Sequence, residues 1–198
     1  MPQRSSERDN KYHSTPLITT KTLIDELLAV NAAATALCGA LTVDQLFSRP
    51  DPAKWSIAEN LLHLCTTIQV FLPTFEHGIV ETRRRGFLSP GPFRLGWYGR
   101  LLLWYVEPPP VIRLPAPKPL VPQLAGRTEH VLEQFLASQA TVKSLIADAS
   151  DLDLTKLRFP SPLARFIRMN LLEAFSVGNG HSRRHIWQAA RVRQRLVS

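Results

Sequence analysis

The sequence predicts an all-α protein whose core is a bundle of four helices. Apolar residues recur at helical spacing in four stretches of roughly twenty to thirty residues each. No segment has the alternating pattern of a strand, and a chain of 198 residues is long enough for one sizeable core but short for two. A four-helix bundle is the natural arrangement for such helices. We therefore expect one bundle domain over residues 16–198, preceded by a flexible polar tail at residues 1–15.

The first two helices are predicted from their apolar periodicity and their end signals. The first should run from about Thr20 to Leu41. The turn that follows, Thr42 to Lys54, contains two prolines, which should end any helix there. The second helix should begin at Ser56, because Ser56 and Glu59 have the spacing of a capping box, and its apolar pattern fades near Arg85.

The third and fourth helices are predicted in the same way. The third should run from about Thr128 to Ala149. The fourth should open at Ser161 and Pro162, a cap residue followed by proline at the first helical position, and should end near Arg193. Its inward face should begin with Leu163.

Residues 86–123 form a proline- and aromatic-rich insert between the second and third predicted helices. The prolines that give its second half an extended, polyproline-like character are Pro108, Pro109, Pro110, Pro115, Pro117, Pro119 and Pro122. Within the insert, Trp97–Tyr105 predicts a short apolar helix. Such a helix could cover an opening in the core, contact a second subunit or touch a membrane surface. We rank these three interpretations in that order.

The net charge of +8 comes mostly from arginine, with clusters at residues 83–85 and at Arg191, Arg193 and Arg195. Basic clusters can bind nucleic acid or anionic membranes. These two, however, fall where helices should end, where cations are favourable. Because aromatic residues are not interleaved with them, we prefer the helix-end interpretation, and neither nucleic acid nor membrane is an expected partner.

The cysteine content and the polar N-terminus favour a cytoplasmic location. Cys38 and Cys65 are the only cysteines, which argues for buried thiols in a reducing compartment rather than a disulfide framework. No apolar stretch is long enough to span a membrane. The first fifteen residues also lack the apolar region of a secretory signal.

Three histidines are candidates for a shared metal ion. His181 and His185 are four residues apart, so a helix would place both imidazoles on one face, and that face is the apolar one. His63 lies in the second predicted helix and could supply a third nitrogen. The alternative is that the pair only packs at the edge of the core with ordinary hydrogen bonds. Gln188, three residues beyond His185 on the same face, is a candidate to support the metal ligands.

Two segments resemble the DinB-like (YfiT-type) superfamily. The first is the run from Lys54 to Leu64, with Trp-Ser followed by a histidine, and the second is the run from His181 to Gln188, with His-x-x-x-His and a glutamine three residues on. The order and spacing of the helices agree across nearly the whole chain. The resemblance implies a four-helix bundle with up-down-down-up topology and a divalent metal held by His63, His181 and His185. The long insert departs from the family pattern.

The resemblance further implies a metal-dependent enzyme that activates a thiol or water for transfer to, or hydrolysis of, a small molecule. Zinc or nickel is the expected metal, with iron and cobalt also compatible with nitrogen ligands, and a low-molecular-weight thiol is a candidate co-substrate. Glu59 is a candidate acid or base, unless it only completes the capping box. Arg184 could hold an anionic substrate group. The alternative function is a non-catalytic bundle that binds a small ligand or a partner, such as a second copy in a homodimer, through the aromatic insert.

Overall fold

A computed structural model describes residues 16–110, 115–122 and 129–196. Most of these residues are helical, which confirms the all-α class. The helices are α1 (Thr20–Cys38), α2 (Val43–Phe47), α3 (Ile57–Arg84), α4 (Trp97–Val106), α5 (Val131–Asp148) and α6 (Leu171–Leu196), with one 3-10 turn at Lys118–Leu120. The predicted tail at residues 1–15 and the predicted start of the third helix at Thr128 lie outside the described residues.

Helix α3 begins at the capping box that the sequence predicts. The Ser56 hydroxyl accepts a hydrogen bond from the Glu59 backbone N–H at 3.1 Å, and the Glu59 carboxylate accepts one from the Ser56 N–H at 2.8 Å. These two bonds satisfy N–H groups that would otherwise be unpaired at a helix start. The capping-box prediction is confirmed.

The turn between α1 and α3 contains a short helix that the sequence analysis did not predict. Thr42 and Gln45 form a capping box at the start of α2, and Leu46 and Phe47 then turn into the core. The helix ends at Phe47, and Pro50 and Pro52 lie beyond it. The expectation of a helix-free turn is therefore wrong for these five residues.

The predicted start of the fourth helix at Ser161 and Pro162 is wrong, as is the expectation that no strand occurs. The chain instead forms an antiparallel hairpin of β1 (Phe159–Pro160) and β2 (Arg168–Met169). The Ser161 N–H donates to the Ile167 carbonyl at 2.7 Å, which closes the hairpin. Leu163 lies in this turn and is 40 % exposed, not on an inward helix face.

A further capping box, at Asn170 and Glu173, explains the true start of α6. The Asn170 side chain accepts from the Glu173 N–H at 2.8 Å, and the Glu173 carboxylate accepts from the Asn170 N–H at 3.0 Å. Arg158 adds an ion pair to the same carboxylate at 2.8 Å. A reciprocal cap with a charged partner outweighs the serine–proline signal nine residues earlier.

The long helices α1, α3, α5 and α6 pack in a ring, each against two neighbours. Two apolar clusters fill the ring. Along α6, the first cluster contains Leu171, Leu172, Ala174 and Phe175, and the second contains Ile186, Ala189 and Val192. His181 lies between them on this helix, so the candidate site lies between the two apolar clusters.

The short helix predicted within the insert is present as α4 and packs against α6. Gly180 makes this close packing possible, since a Cβ there would lie 2.7 Å from Leu103 and 3.0 Å from Val106. Beyond α4, Glu107 accepts a hydrogen bond from the Arg183 guanidinium at 3.0 Å. The insert is thereby anchored to the helix that carries two of the candidate ligands.

The arginine cluster at the end of α3 is paired with nearby carboxylates. Arg83 contacts Asp148 and Asp151 at 3.3 and 3.2 Å, and both Arg84 and Arg85 contact Glu81 at 2.7 Å. None of the described helices is both long and apolar enough to cross a membrane.

Both cysteines are buried and carry free thiols. Burial raises the pKa of the Cys38 thiol to about 11, although nearby Arg193 opposes the shift. Burial also raises the pKa of Cys65. Both thiols are therefore protonated at neutral pH and act as small apolar side chains.

Candidate metal centre

The structure brings His63, His181 and His185 together. One ring nitrogen from each lies within 4.8 Å of the others, and the Nε2 atoms of His63 and His181 are 3.1 Å apart. His63 comes from α3 and the other two from successive turns of α6, so the pairing depends on the packing of these two helices. His63 and His185 are buried, and His181 is half-buried.

The ring of His63 is oriented by the insert. Its Nδ1 lies 2.7 Å from the backbone carbonyl oxygen of Leu120, at the end of the 3-10 turn. Because a carbonyl oxygen only accepts, Nδ1 carries the proton, and Nε2 keeps its lone pair. The insert thus supplies the group that presents Nε2 of His63 to the site.

The ring of His185 is oriented by Asn60, one turn before His63 on α3. The Asn60 amide donates to the Ser56 carbonyl at 2.8 Å, so its oxygen faces Nδ1 of His185 at 2.9 Å. Nδ1 of His185 is therefore the donor, and Nε2 again keeps its lone pair. Asn60 is only 1 % exposed, which fits a dedicated support for a metal ligand.

Burial keeps the three imidazoles neutral. Burial, together with the neighbouring His63 and Arg184, lowers the pKa of His181 to about 3. Burial, followed by the neighbouring His181, His63 and Arg184, lowers the pKa of His185 well below its ordinary value. For His63, burial lowers the pKa although the bond to Leu120 opposes it. The neutral imidazole is the form that binds metal.

The geometry and the donor set fit a divalent transition metal. Two nitrogens at 2.0–2.1 Å from a tetrahedral ion are separated by about 3.3 Å, close to the 3.1 Å between Nε2 of His63 and His181. Three imidazole nitrogens leave at least one coordination position for another ligand, as in catalytic rather than structural sites.

The three histidines line a cavity of about 900 Å³. Trp55 forms one wall, with its ring centroid 4.8 Å from that of His63 and 5.8 Å from that of His185, stacked on the latter. The wall beyond the histidines is mostly apolar. Its members include Ile68, Phe71, Phe75, Val142 and Phe175. A cavity of this size suits a small organic molecule.

The contacts of Glu59 do not indicate a role at the metal. Its carboxylate is 3 % exposed, accepts from the Ser56 N–H, and pairs with the Arg49 guanidinium. Burial raises the pKa of Glu59, but hydrogen bonds from Arg49 and Ser56 together outweigh this and lower it overall. An ionised, fully engaged carboxylate matches the capping interpretation of Glu59.

Arg184 and Gln188 both line the cavity. The Arg184 guanidinium lies 5.9 Å from the Tyr105 ring centroid and donates to the Tyr105 carbonyl at 3.2 Å. Its charge contributes to the lowered pKa values of His181 and His185. Leu120 and Asn60 hydrogen-bond to His63 and His185, and a supporting role for Gln188 stays a prediction.

Asn60 and Leu120 were not predicted as supporting groups. The role of Asn60 was predictable, because an amide in an apolar helix one turn before a candidate ligand needs a buried partner. The role of Leu120 was not predictable, since it contributes a backbone carbonyl from a proline-rich loop. His77, which is exposed, does not join the cluster.

Comparison with protein families agrees with this site. A family model described as the DinB superfamily matches residues 26–189. The chain belongs to the DinB superfamily. The matched region of this DinB-superfamily chain contains the three histidines, Trp55 and Asn60. No curated protein and no solved structure matches the chain.

Proposed function

We propose that this DinB-superfamily chain is a divalent-metal-dependent enzyme acting on a small molecule, with His63, His181 and His185 as the metal ligands. The observation that carries the proposal is the pair of Nδ1 hydrogen bonds, to Leu120 and to Asn60. Each fixes a buried imidazole with an unprotonated Nε2, and one ring nitrogen from each of the three histidines lies within 4.8 Å of the others. A divalent metal binds the imidazole nitrogens that these hydrogen bonds leave unprotonated.

The residues around the proposed metal orient its ligands and exclude water. A bound divalent ion lowers the pKa of a coordinated water or thiol, which makes either one a nucleophile near neutral pH. Asn60 and the Leu120 carbonyl keep two ligand rings in place, and Trp55 covers their faces. The apolar wall limits water near the reacting group, so charges there act more strongly than in bulk solvent.

We propose zinc or nickel as the metal, with iron or cobalt also compatible with three nitrogen ligands. A low-molecular-weight thiol is the proposed nucleophile, with water as the alternative. This choice rests on the resemblance to DinB-like enzymes. The two buried free thiols support a reducing compartment, and we propose the cytoplasm.

Contacts between the helices support the up-down-down-up arrangement proposed for the bundle. Asn179 donates to the Leu23 carbonyl and Arg193 to the Ala36 carbonyl, as expected if α1 and α6 run in the same direction. On α3, Asn60 contacts His185, whereas a Cβ at Gly78 would meet Leu171. These contacts fit α3 and α6 running in opposite directions.

A non-catalytic binding protein is the second candidate. Trp97 is 76 % exposed and Leu101, one turn later on α4, is 51 % exposed. Two large apolar side chains on one outward helix face suit a contact with another protein, including a second copy of the chain. This function would need no metal.

Turnover assays separate the two candidates. Zinc- and nickel-loaded protein would be assayed with p-nitrophenyl acetate for hydrolysis and with 1-chloro-2,4-dinitrobenzene plus a panel of small thiols for transfer. We expect metal-dependent turnover that is lost in His63→Ala and kept in His77→Ala, which removes an exposed histidine from the same helix. Rates that are unchanged by His63→Ala, or by removal of the metal with a chelator, would overturn the enzyme proposal.

A further inference from the structure

The buried face of helix α5 carries a single polar side chain. Five residues of this helix are buried, and four of them are apolar. The fifth is Gln139, which is 3 % exposed. Phe135, four residues before it, belongs to the second apolar cluster, and Val142, three residues after it, belongs to the first. Gln139 therefore lies between the two clusters on α5, as His181 does on α6.

The amide of Gln139 has few partners within the protein. Its Nε2 donates to the Ser182 hydroxyl over a long distance of 3.4 Å, and no other hydrogen bond joins this amide to a described side chain. An amide has one acceptor oxygen and two N–H donors. Because Gln139 lines the cavity, its oxygen and one N–H are available to a bound molecule.

Two other buried amides that line the cavity have closer partners. Asn60 donates to a backbone carbonyl at 2.8 Å and accepts from His185 at 2.9 Å. Asn179 donates to the Leu23 carbonyl at 2.9 Å. An amide that is buried without its partners destabilises the folded chain. A ligand that supplies the missing partners of Gln139 would remove this cost.

Ser182 places the Gln139 amide beside the proposed metal ligands. It follows His181 directly on α6, and His185 lies three residues later, so the side chains of Ser182 and His185 are neighbours on the helix surface. Helix α5 packs against α1 and α3 and lies across the ring from α6. Gln139 therefore reaches Ser182 across the interior of the bundle, at the level of the histidines.

A free acceptor beside a free donor selects the chemistry of the ligand. Another carboxamide is complementary, because it offers an N–H to the oxygen of Gln139 and a carbonyl to its N–H. A hydrocarbon would leave both groups unpaired, and a carboxylate would bring a charge into mostly apolar surroundings. Val142 also lines the cavity and lies about 4.5 Å further along α5, so an apolar group can pack beside the carboxamide.

We infer that Gln139 binds a carboxamide group of the substrate and thereby selects neutral, amide-bearing small molecules. The inference rests on the proposed function only in taking the bound molecule to be the substrate of the metal site. The binding itself requires the cavity and the Gln139 amide, and it involves no bond to a metal ion.

NMR titration of the full chain, as purified, tests this inference. The probe is 3-phenylpropanamide, whose two methylene groups separate the ring from the carboxamide by about 4–5 Å, close to the axial spacing of Gln139 and Val142. The matched control compound is 4-phenylbutan-2-one, in which a methyl group replaces the NH2 group. Since both compounds keep the carbonyl, only the donor differs. We expect the amide to bind about three- to tenfold more tightly, as is typical of one neutral hydrogen bond.

A pair of matched variants locates the effect. Gln139→Met keeps an unbranched side chain but removes the amide, so the preference for 3-phenylpropanamide should disappear. Gln134→Met changes an exposed glutamine of the same helix and should keep the preference. Gln139→Met should also keep or raise the urea midpoint, because it removes a buried amide that lacks partners.

Three results would overturn the inference. The first is undetectable binding of 3-phenylpropanamide, or binding no tighter than that of the ketone. The second is a preference that survives in Gln139→Met or disappears equally in Gln134→Met. The third is a clear fall in the urea midpoint of Gln139→Met, which would show that the amide serves the packing of the core.

Metal content measured on the same samples separates the two proposals. Protein that takes up zinc but does not prefer the amide would overturn the carboxamide site and leave the metal enzyme standing. Protein that prefers the amide through Gln139 but takes up no metal would keep the carboxamide site and overturn the enzyme.

Discussion

Along α3, the polar side chains of Asn60 and His63 near the start of the helix are buried, whereas the arginines at its end are exposed. Asn60 and His63 are 1 % and 2 % exposed and bind partners more than fifty residues away in sequence. Arg84 and Arg85 are exposed and pair with Glu81 one turn before them. Burying a polar group is costly unless a partner is placed for it, so the first region requires a specific tertiary structure and the second requires only a helix.

The largest expected effect is on the pH dependence of stability in the buried region. The folded pKa of His181 is lowered from 6.5 to about 3, so between these values the unfolded chain binds more protons and stability falls as pH falls. From pH 7 to pH 5, His181 alone should reduce the free energy of unfolding by roughly 2 kcal/mol. Urea unfolding of metal-free protein would measure this. His181→Gln should show a correspondingly smaller loss, and an equal loss in both proteins would contradict the burial argument.

The next largest effect is expected when the hydrogen-bond acceptor of His185, the Asn60 side chain, is removed. Asn60→Leu keeps the approximate size of the side chain but leaves Nδ1 of His185 without its acceptor. Metal affinity should fall about 10- to 100-fold, as is typical when a group that orients a ligand is lost. Competition with a chromogenic chelator would measure the change. Thr66→Val, which removes a hydroxyl bonded only to the Leu62 carbonyl on the same helix, should leave affinity unchanged, and equal affinities in the two variants would contradict the role of Asn60.

A smaller effect is expected at Glu59, and it falls on stability alone. Glu59→Gln keeps a capping group but loses the charge that pairs with Arg49, which should lower the free energy of unfolding by about 1–2 kcal/mol. Metal content should not change. Urea unfolding and elemental analysis would check both. If the variant kept its stability and lost turnover, Glu59 would be catalytic and the capping interpretation wrong.

The smallest effect is expected in the exposed region. Arg83→Gln removes ion pairs with Asp148 and Asp151 whose partners are themselves more than half exposed. Exposed pairs of this kind contribute little because water and salt screen them. The urea midpoint should stay within experimental error of the natural chain. A large shift would mean that the two regions of α3 do not differ as described.

The sequence predicts best what local rules decide. The Ser56 and Glu59 capping box correctly placed the start of α3, and the four-residue spacing of His181 and His185 correctly placed both on one helix face. The same logic was misapplied before α6, where Ser161 and Pro162 have a plausible start signal but form a hairpin turn. The true signal, Asn170 with Glu173, was also local and could have been found.

What could not be predicted depends on contacts between distant segments. The acceptor for His63 is the carbonyl of Leu120, 57 residues away, and a backbone oxygen has no residue type to reveal it. The cavity wall likewise combines residues that are distant in sequence, such as Lys54 from the α2–α3 loop and Gln188 from α6. Periodicity identifies helix faces, but it does not say which loop closes over them.

Metal content tests the central claim most directly. Protein purified without a histidine tag or chelator would be analysed by elemental mass spectrometry, alongside His63→Ala, His181→Ala and the control His77→Ala. We predict about one transition-metal ion per chain in the natural protein and in His77→Ala, and none in the other two. A natural chain that stays empty after dialysis against zinc or nickel, or a His63→Ala variant that keeps its metal, would contradict the three-histidine site.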